Sequence, residues 1–357
     1  MLEETILIEA RKVQKLGNTS LVISLPKKWV NKLKLSQGDI LYIKAEDDDS
    51  LRIFQHPLEE KKESEEKYLI YADKCDRPNL LERILTGCYI LGYDNIVVKT
   101  TSSRLSSNSL TEIRKAINRH TGIGILEQTP NMIILQCFID VTRFPVTGMI
   151  KRMFTLIESM LELLKQSISE RDEEALGEIF NIETEVNRLY WLGIRQLILS
   201  QKDWSFAKNV GVKSPLHILG NRVIIKSIES VGDAIEDMAK AAREAFYFFE
   251  EDKDYTEKII SMIDELKEIS ALVQKALNKL DVIRANSVVD RVKKFRAIEE
   301  IKEISKSFVQ CDAEAITSLV TILNRLIEAA KDFENIAEIV INRSLEEPST
   351  PCTQISK

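Results

Sequence analysis

Between Leu216 and Phe249 the residues Ile224, Ile225, Ile228, Val231, Ile235, Met238, Ala242 and Phe246 recur at three- and four-residue steps. That is the spacing of one buried helical face, so the segment predicts a long amphipathic helix. At 100° per residue Glu229, Asp233 and Asp237 fall on a narrow stripe roughly opposite the apolar face, three carboxylates in solvent at i, i+4 and i+8. Each like-charged pair costs about 0.2–0.5 kcal/mol in an isolated helix, to be offset by a bound cation or by basic neighbours. Arg222, Lys226 and Lys240 are placed to do the latter. The stripe therefore reads in two ways, as a solvated face laced with ion pairs or as a surface carboxylate site for a hard metal ion.

From Met149 onward the chain continues in the same manner, and capping signals at Ser169–Asp172, Ser214-Pro215, Asp254–Glu257 and Asn286 divide it. The predicted helices lie near 149–168, 172–200, 214–250, 254–282, 286–309 and 312–344. Two groups of three, each closed by a long helix, imply an internal duplication with a period of roughly 100 residues. Laid over each other, the third and sixth helices set Glu229, Asp233 and Asp237 against Glu328 and Asp332. The expected architecture is two three-helix bundles packed side by side, at 146–251 and 252–345.

The N-terminal residues 1–56 follow another rule. Short apolar runs at Ile6–Ile8, Leu21–Leu25 and Ile40–Ile43, bounded by Gly17-Asn18 and Gly38-Asp39, read as strands. Pro26 opens one short helix, Lys27–Leu35, with Trp29, Val30 and Leu33 on one face. Between Ala10 and Lys34 there is no acidic residue, whereas Arg11, Lys12, Lys15, Lys27, Lys28, Lys32 and Lys34 are all present. A net charge of −6 argues against a basic coat over the whole protein, so nucleic-acid binding has to be local to such a segment. So small a unit cannot bury a core alone and needs a partner.

Residues 57–67 are almost entirely charged and read as a solvated linker. Residues 68–145 alternate strand and helix patterns, Tyr68–Tyr71, Pro78–Leu91, Ile96–Val98, Leu110–His120 and a hairpin at Gly124–Gln128 and Met132–Phe138, which together make a small α+β unit. It holds no glycine-rich phosphate cradle and no triad, and His120 reads as the end of a helix rather than a metal ligand. Residues 346–357, with Pro348 and Pro351, are expected to be disordered. The fold class is thus multi-domain α+β, with a β module, a small α+β unit and an all-α C-terminal half.

Catalysis finds no support. There is no GxxxxGK[ST], HExxH or GxSxG, and His56, His120 and His217 stand apart from one another. Five scattered cysteines without a CxxC pair suit a reducing compartment and no zinc ribbon. The start lacks a signal-peptide pattern and no run approaches about 18 apolar residues, so a cytoplasmic protein is expected, not an inserted one.

The order Arg11-Lys-Val-Gln-Lys-Leu-Gly17, Ser24-Leu-Pro-Lys-Lys-Trp-Val30 and Leu35-Ser-Gln-Gly-Asp39 resembles the AbrB/SpoVT swapped-hairpin family. The resemblance implies a homodimer of interleaved hairpins that binds DNA, with Arg11, Lys12 and Lys15 as matching contacts and Lys27 and Lys28 as secondary phosphate contacts. The segment Glu183-Thr-Glu-Val-Asn-Arg-Leu189 with Arg195, and Glu229-Ser-Val-Gly-Asp-Ala-Ile-Glu-Asp237, resemble the PhoU family of phosphate-uptake regulators, tandem three-helix bundles. That family holds metal clusters through acid-x-x-x-acid motifs. The resemblance implies an iron or magnesium-like ion on the first bundle at Glu183, Glu229, Asp233 and Asp237, with Asn187 where an acid is usual and with Lys331 and Asn335 interrupting the second copy. The combined order looks like the archaeal PhoU-related regulators. It implies a phosphate-responsive transcriptional regulator or, as the alternative, an adaptor that contacts a phosphate transporter ATPase or a sensor protein without binding DNA.

Overall fold

Gly17, at φ 69°, takes the chain through the turn between β1 (Gln14–Leu16) and β2 (Ser20–Val22), a left-handed conformation that costs glycine little. The computed structural model describes residues 9–17, 19–45, 50–56, 67–301 and 313–346. The chain divides into two units, Met1–Glu66 and Lys67–Lys357. The expected strand Ile6–Ile8, most of the charged linker and the tail from 347 lie outside the described residues.

In the first unit the β1–β2 hairpin is followed by α1 (Lys27–Leu33) and a second antiparallel pair, β3 (Tyr42–Ala45) with β4 (Leu51–Phe54). The helix stops two residues short of the expected Leu35 because Lys34 turns left-handed at φ 53°. None of the described residues of this unit is buried. Val13, Leu16, Leu21, Ile23, Ile40, Ile43 and Leu51 are each more than half exposed, so the alternating pattern that predicts a core finds none within one chain.

The second unit begins with β5 (Lys67–Tyr71), α2 (Leu80–Ile90), β6 (Asn95–Lys99), α3 (Ser107–Arg119), β7 (Ile123–Thr129) and β8 (Met132–Cys137). The sheet order is β5-β6-β8-β7, with β5 parallel to β6 and the other pairs antiparallel. Ile70, Ile96, Val98, Ile133 and Leu135 pack with Leu81, Leu85 and Ile113 of the two helices into one core. Ile90 and Trp191 touch both this core and that of the bundle, so the α+β part and the helices form one continuous body.

The bundle comprises α4 (Val146–Glu170), α5 (Glu173–Lys202), the short α6 (Trp204–Asn209), α7 (Pro215–Glu244), the short α8 (Phe246–Glu251), α9 (Lys253–Lys279), α10 (Val282–Lys293) and α11 (Ala313–Ser344). Ser214 caps α7 with proline following, as expected. Three other boundaries differ. Asp172 itself caps α5, while Ser169 donates to the carbonyl of Gln166. Asp252, not the box at 254–257, caps α9 by accepting from Tyr255 N–H at 2.9 Å. Asp281 caps α10, leaving Asn286 inside the helix bonded to Asp290. In each case the aspartate whose oxygen reaches the N–H two or three residues on forms the cap, a local geometry that several nearby polar residues could equally supply. The helix expected at 214–250 breaks at Ala245, after which the short α8 carries Phe248 and Phe249, both buried. Glu346, expected in the tail, instead accepts from Ser214 Oγ at 3.1 Å and lies 3.4 Å from His217.

The two helical groups share a single core running from Val146 to Val340. Their closing helices α7 and α11 form the most extensive contact, and Phe154 stacks on Phe333 across the groups at 6.4 Å. Lys165 donates to both oxygens of Asp264 at 2.9 and 2.8 Å, tying α4 to α9.

Candidate functional site

The acid stripe of α7 lies in the seam between α5, α7 and α11, not on an open face. Because α7 is flanked by α4, α5 and α11, the arc left for solvent is narrower than a half-buried helix would leave. Glu229, expected in water, is buried and paired with Lys226 one turn earlier. Glu183 of α5 is also buried; its carboxyl accepts from the Asn187 amide and donates to the Asp233 carboxylate. Asp237 pairs with Arg325 of α11 at 3.0 Å and with Lys240 at 3.4 Å.

Burial pushes the Glu183 carboxyl up to about 7, with Glu236, Asp233 and Glu229 adding to the effect. Burial likewise raises Glu229, Asp233 and, on α11, Asp332. One proton shared between Glu183 and Asp233 relieves the repulsion of two neighbouring carboxylates. Toward α11 the seam opens into a groove of about 370 Å³ lined by Asp233, Asp237, Arg325, Glu328, Lys331 and Asp332. The acid stripe of α7 therefore faces Glu328 and Asp332 of α11, and Arg325 joins the two helices by pairing with both Asp237 and Glu328.

The structure brings Glu183, Glu229 and Asp233 onto one seam, but among the described residues no three carboxylate, histidine or cysteine groups converge as a metal cage. Glu229 and Asp237 already hold cations, and Glu183 holds an amide and its neighbour's carboxyl. As arranged, these residues do not fit a resident ion. Arg325, which neutralises the stripe, was not singled out from sequence. Only its place one turn before Glu328 hinted at it.

Arg11, Lys12, Lys15, Lys27 and Lys28 are all exposed. Arg11 and Lys12 precede β1, Lys15 sits in β1 opposite Leu21, and Lys27 and Lys28 open α1. Arg11 pairs with Glu9, outside the acid-free stretch.

Arg195, one of the residues of the PhoU-like pattern, is 2 % exposed and serves a junction. It donates to the carbonyl of Tyr89 and to Asp94, clamping α5 to the α+β part, and its guanidinium lies 5.0 Å from the Tyr89 ring centre. His120 does follow α3 as its C-cap, and is buried against Tyr89 with its Nε2 3.0 Å from Thr86 Oγ1. Burial lowers its pKa to about 4, which keeps the imidazole neutral.

Among the described residues no helix is long and apolar enough to cross a membrane. The family model of the PhoU domain matches residues 150–242, spanning α4, α5 and most of α7. The model described as "Antidote-toxin recognition MazE, bacterial antitoxin" matches residues 14–67, so the N-terminal segment is similar to that family. Among solved structures, the crystal structure of PhoU from Pseudomonas aeruginosa is similar at 16% identity, covering 56% of this chain and 96% of that one with a TM-score of 0.47. No curated protein matches the chain.

Proposed function

We propose that the protein is a phosphate-linked transcriptional regulator. Its N-terminal module pairs with a second copy and binds duplex DNA, and its helical half carries the sensing or partner-binding role. The observation that carries this reading is a first unit with no buried residue among those described, whose acid-free stretch holds Arg11, Lys12, Lys15, Lys27 and Lys28, all exposed. Its apolar side chains call for a partner, and its cations neutralise phosphates and release counterions. The PhoU and MazE-like matches support the same division of labour.

Binding to a duplex from upstream of the protein's own coding sequence, measured by fluorescence anisotropy at 50 and 200 mM salt, tests it. A dimer making six to ten phosphate contacts loses about 10³- to 10⁵-fold in affinity over that range. Arg11→Ala with Lys15→Ala should weaken binding and flatten the salt dependence. Absence of binding at low salt, or the same affinity in the double variant, would sink the reading. The second reading is an adaptor that acts on a phosphate transporter ATPase or sensor without DNA. It draws on the PhoU match at residues 150–242, and co-purification of such a subunit with no DNA binding would establish it.

The family-implied iron or magnesium-like ion at Glu183, Glu229, Asp233 and Asp237 would require Lys226 and Arg325 to leave those carboxylates first. The chemistry such an ion supplies is charge neutralisation of the seam, and Lys226, Lys240 and Arg325 already supply it.

A further inference from the structure

The α+β part holds a cavity that the regulator reading leaves unused. β5 and β6 are the parallel pair of the sheet, and the loops leaving their C-terminal ends, 72–79 and 100–106, wall it together with α3. Loops diverge outside the C-terminal ends of parallel strands, which is why open α/β sheets accept ligands there. The cavity measures about 530 Å³, within the range of small-molecule sites. Its walls are fixed to one another. Thr101 donates its N–H at 3.3 Å and its hydroxyl at 2.7 Å to Asp73, joining the two loops. Thr100 and Leu105 donate their N–H groups to Asn131 and Pro130 in the β7–β8 turn, at 3.0 and 2.8 Å.

The lining has a consistent imbalance. Its carboxylates are engaged: Asp73 by Thr101, Glu112 by the N–H groups of Asn79 and Glu82 at 2.9 and 3.2 Å, and Asp76 by Arg77 at 3.9 Å. Its donors are engaged only in part: Ser106 and Ser109 share a hydrogen bond at 2.8 Å and Thr111 donates to the Ser107 carbonyl at 2.9 Å, whereas among the described residues Arg104 and Lys115 have neither ion pair nor hydrogen bond, and the Ser102 hydroxyl and Asn108 amide donate to nothing. A cavity in which Asp73 and Glu112 are hydrogen-bonded within the walls while Arg104 and Lys115 are left without partners complements an acceptor-rich anion. A phosphoryl group meets that description, and the volume leaves room for the rest of a small molecule.

We propose that this cavity binds a phosphorylated small molecule through its phosphoryl group, with Arg104 and Lys115 as the charged contacts. The site is separate from the DNA-binding and carboxylate residues and stands without them. Titration calorimetry of the full chain with AMP, inorganic phosphate and adenosine tests it. AMP and phosphate should bind and adenosine should not. Arg104→Ala and Lys115→Ala should each weaken AMP binding about tenfold, the loss of one charge-assisted contact, and Lys151→Ala on α4 should leave it unchanged. Both positions are exposed, so the variants should fold, which circular dichroism checks. The proposal is overturned if neither AMP nor phosphate binds at millimolar concentration, if adenosine binds as well as AMP, or if the Arg104/Lys115 double variant binds like the parent. None of these outcomes bears on DNA affinity, which is read at Arg11 and Lys15.

Discussion

Glu183 concentrates the electrostatics of the bundle in one side chain. Unfolded it titrates near 4.5, and folded it holds its proton to about 7 because it is buried beside Glu236, Asp233 and Glu229, with Lys240 opposing them. Between those values the native state binds more protons than the unfolded one. The stability this group contributes is therefore complete below pH 4.5 and is lost as pH rises through 7. Glu183→Gln keeps a donor toward Asp233 and cannot ionise. Relative to that variant, the parent should lose on the order of 2 kcal/mol between pH 5 and 8, measured by urea unfolding at fixed ionic strength. Equal pH dependence in the two proteins would show that Glu183 is not the group responsible. In sequence Glu183 was legible as part of an acid-rich motif, but its burial was not. Helical periodicity reports the faces of one helix, and the contact that buries Glu183 and Glu229 comes from helices distant in the chain. The basic cluster from Arg11 to Lys28 was legible because composition alone segregates it, with no folding needed to bring its members near.

Among the elements, the long helices α4, α5, α7, α9 and α11 and the strands β5 to β8 followed their patterns closely, because a face buried along its length leaves an unbroken period in the sequence, whereas the helix expected at 286–309 ends as α10 at Lys293 and the short α6 was not expected. Their ends did not, as Asp252, Asp281 and Ala245 show. A cap depends on which of several polar residues attains the right backbone angles. The approach of α5 to α4 and α7 rests on Gly193, where an added Cβ would lie 2.7 Å from Met149 Cε and 2.9 Å from Ile225 Cδ1. Gly177 on the same helix has nothing within 4 Å. Gly177→Ala should accordingly stabilise by about 0.5–1 kcal/mol through helix propensity. Gly193→Ala gains the same term but overpacks the core at about 1–3 kcal/mol, for a net loss. Thermal unfolding should move the melting temperature in opposite directions for the two substitutions. A shift in the same direction would mean that the α4–α5–α7 contact is looser than described.

For the whole molecule, the contrast between the two units predicts the assembly. Residues 67–357 contain two buried cores, whereas the described part of the first unit contains no buried side chain. In sedimentation equilibrium the full chain should be a dimer at micromolar concentration and a chain truncated to 67–357 a monomer. A truncated chain that stays dimeric would move the pairing surface to the second unit. The order of the helices, in two groups each closed by a long one, was legible in the sequence, yet the packing of the groups on one another was not. One core runs through both groups, with α7 and α11 back to back and Arg325 joining them. Among the described residues the two groups meet as packed side chains and not across a gap, so a change in the spacing of α7 and α11 disturbs the one core that both share.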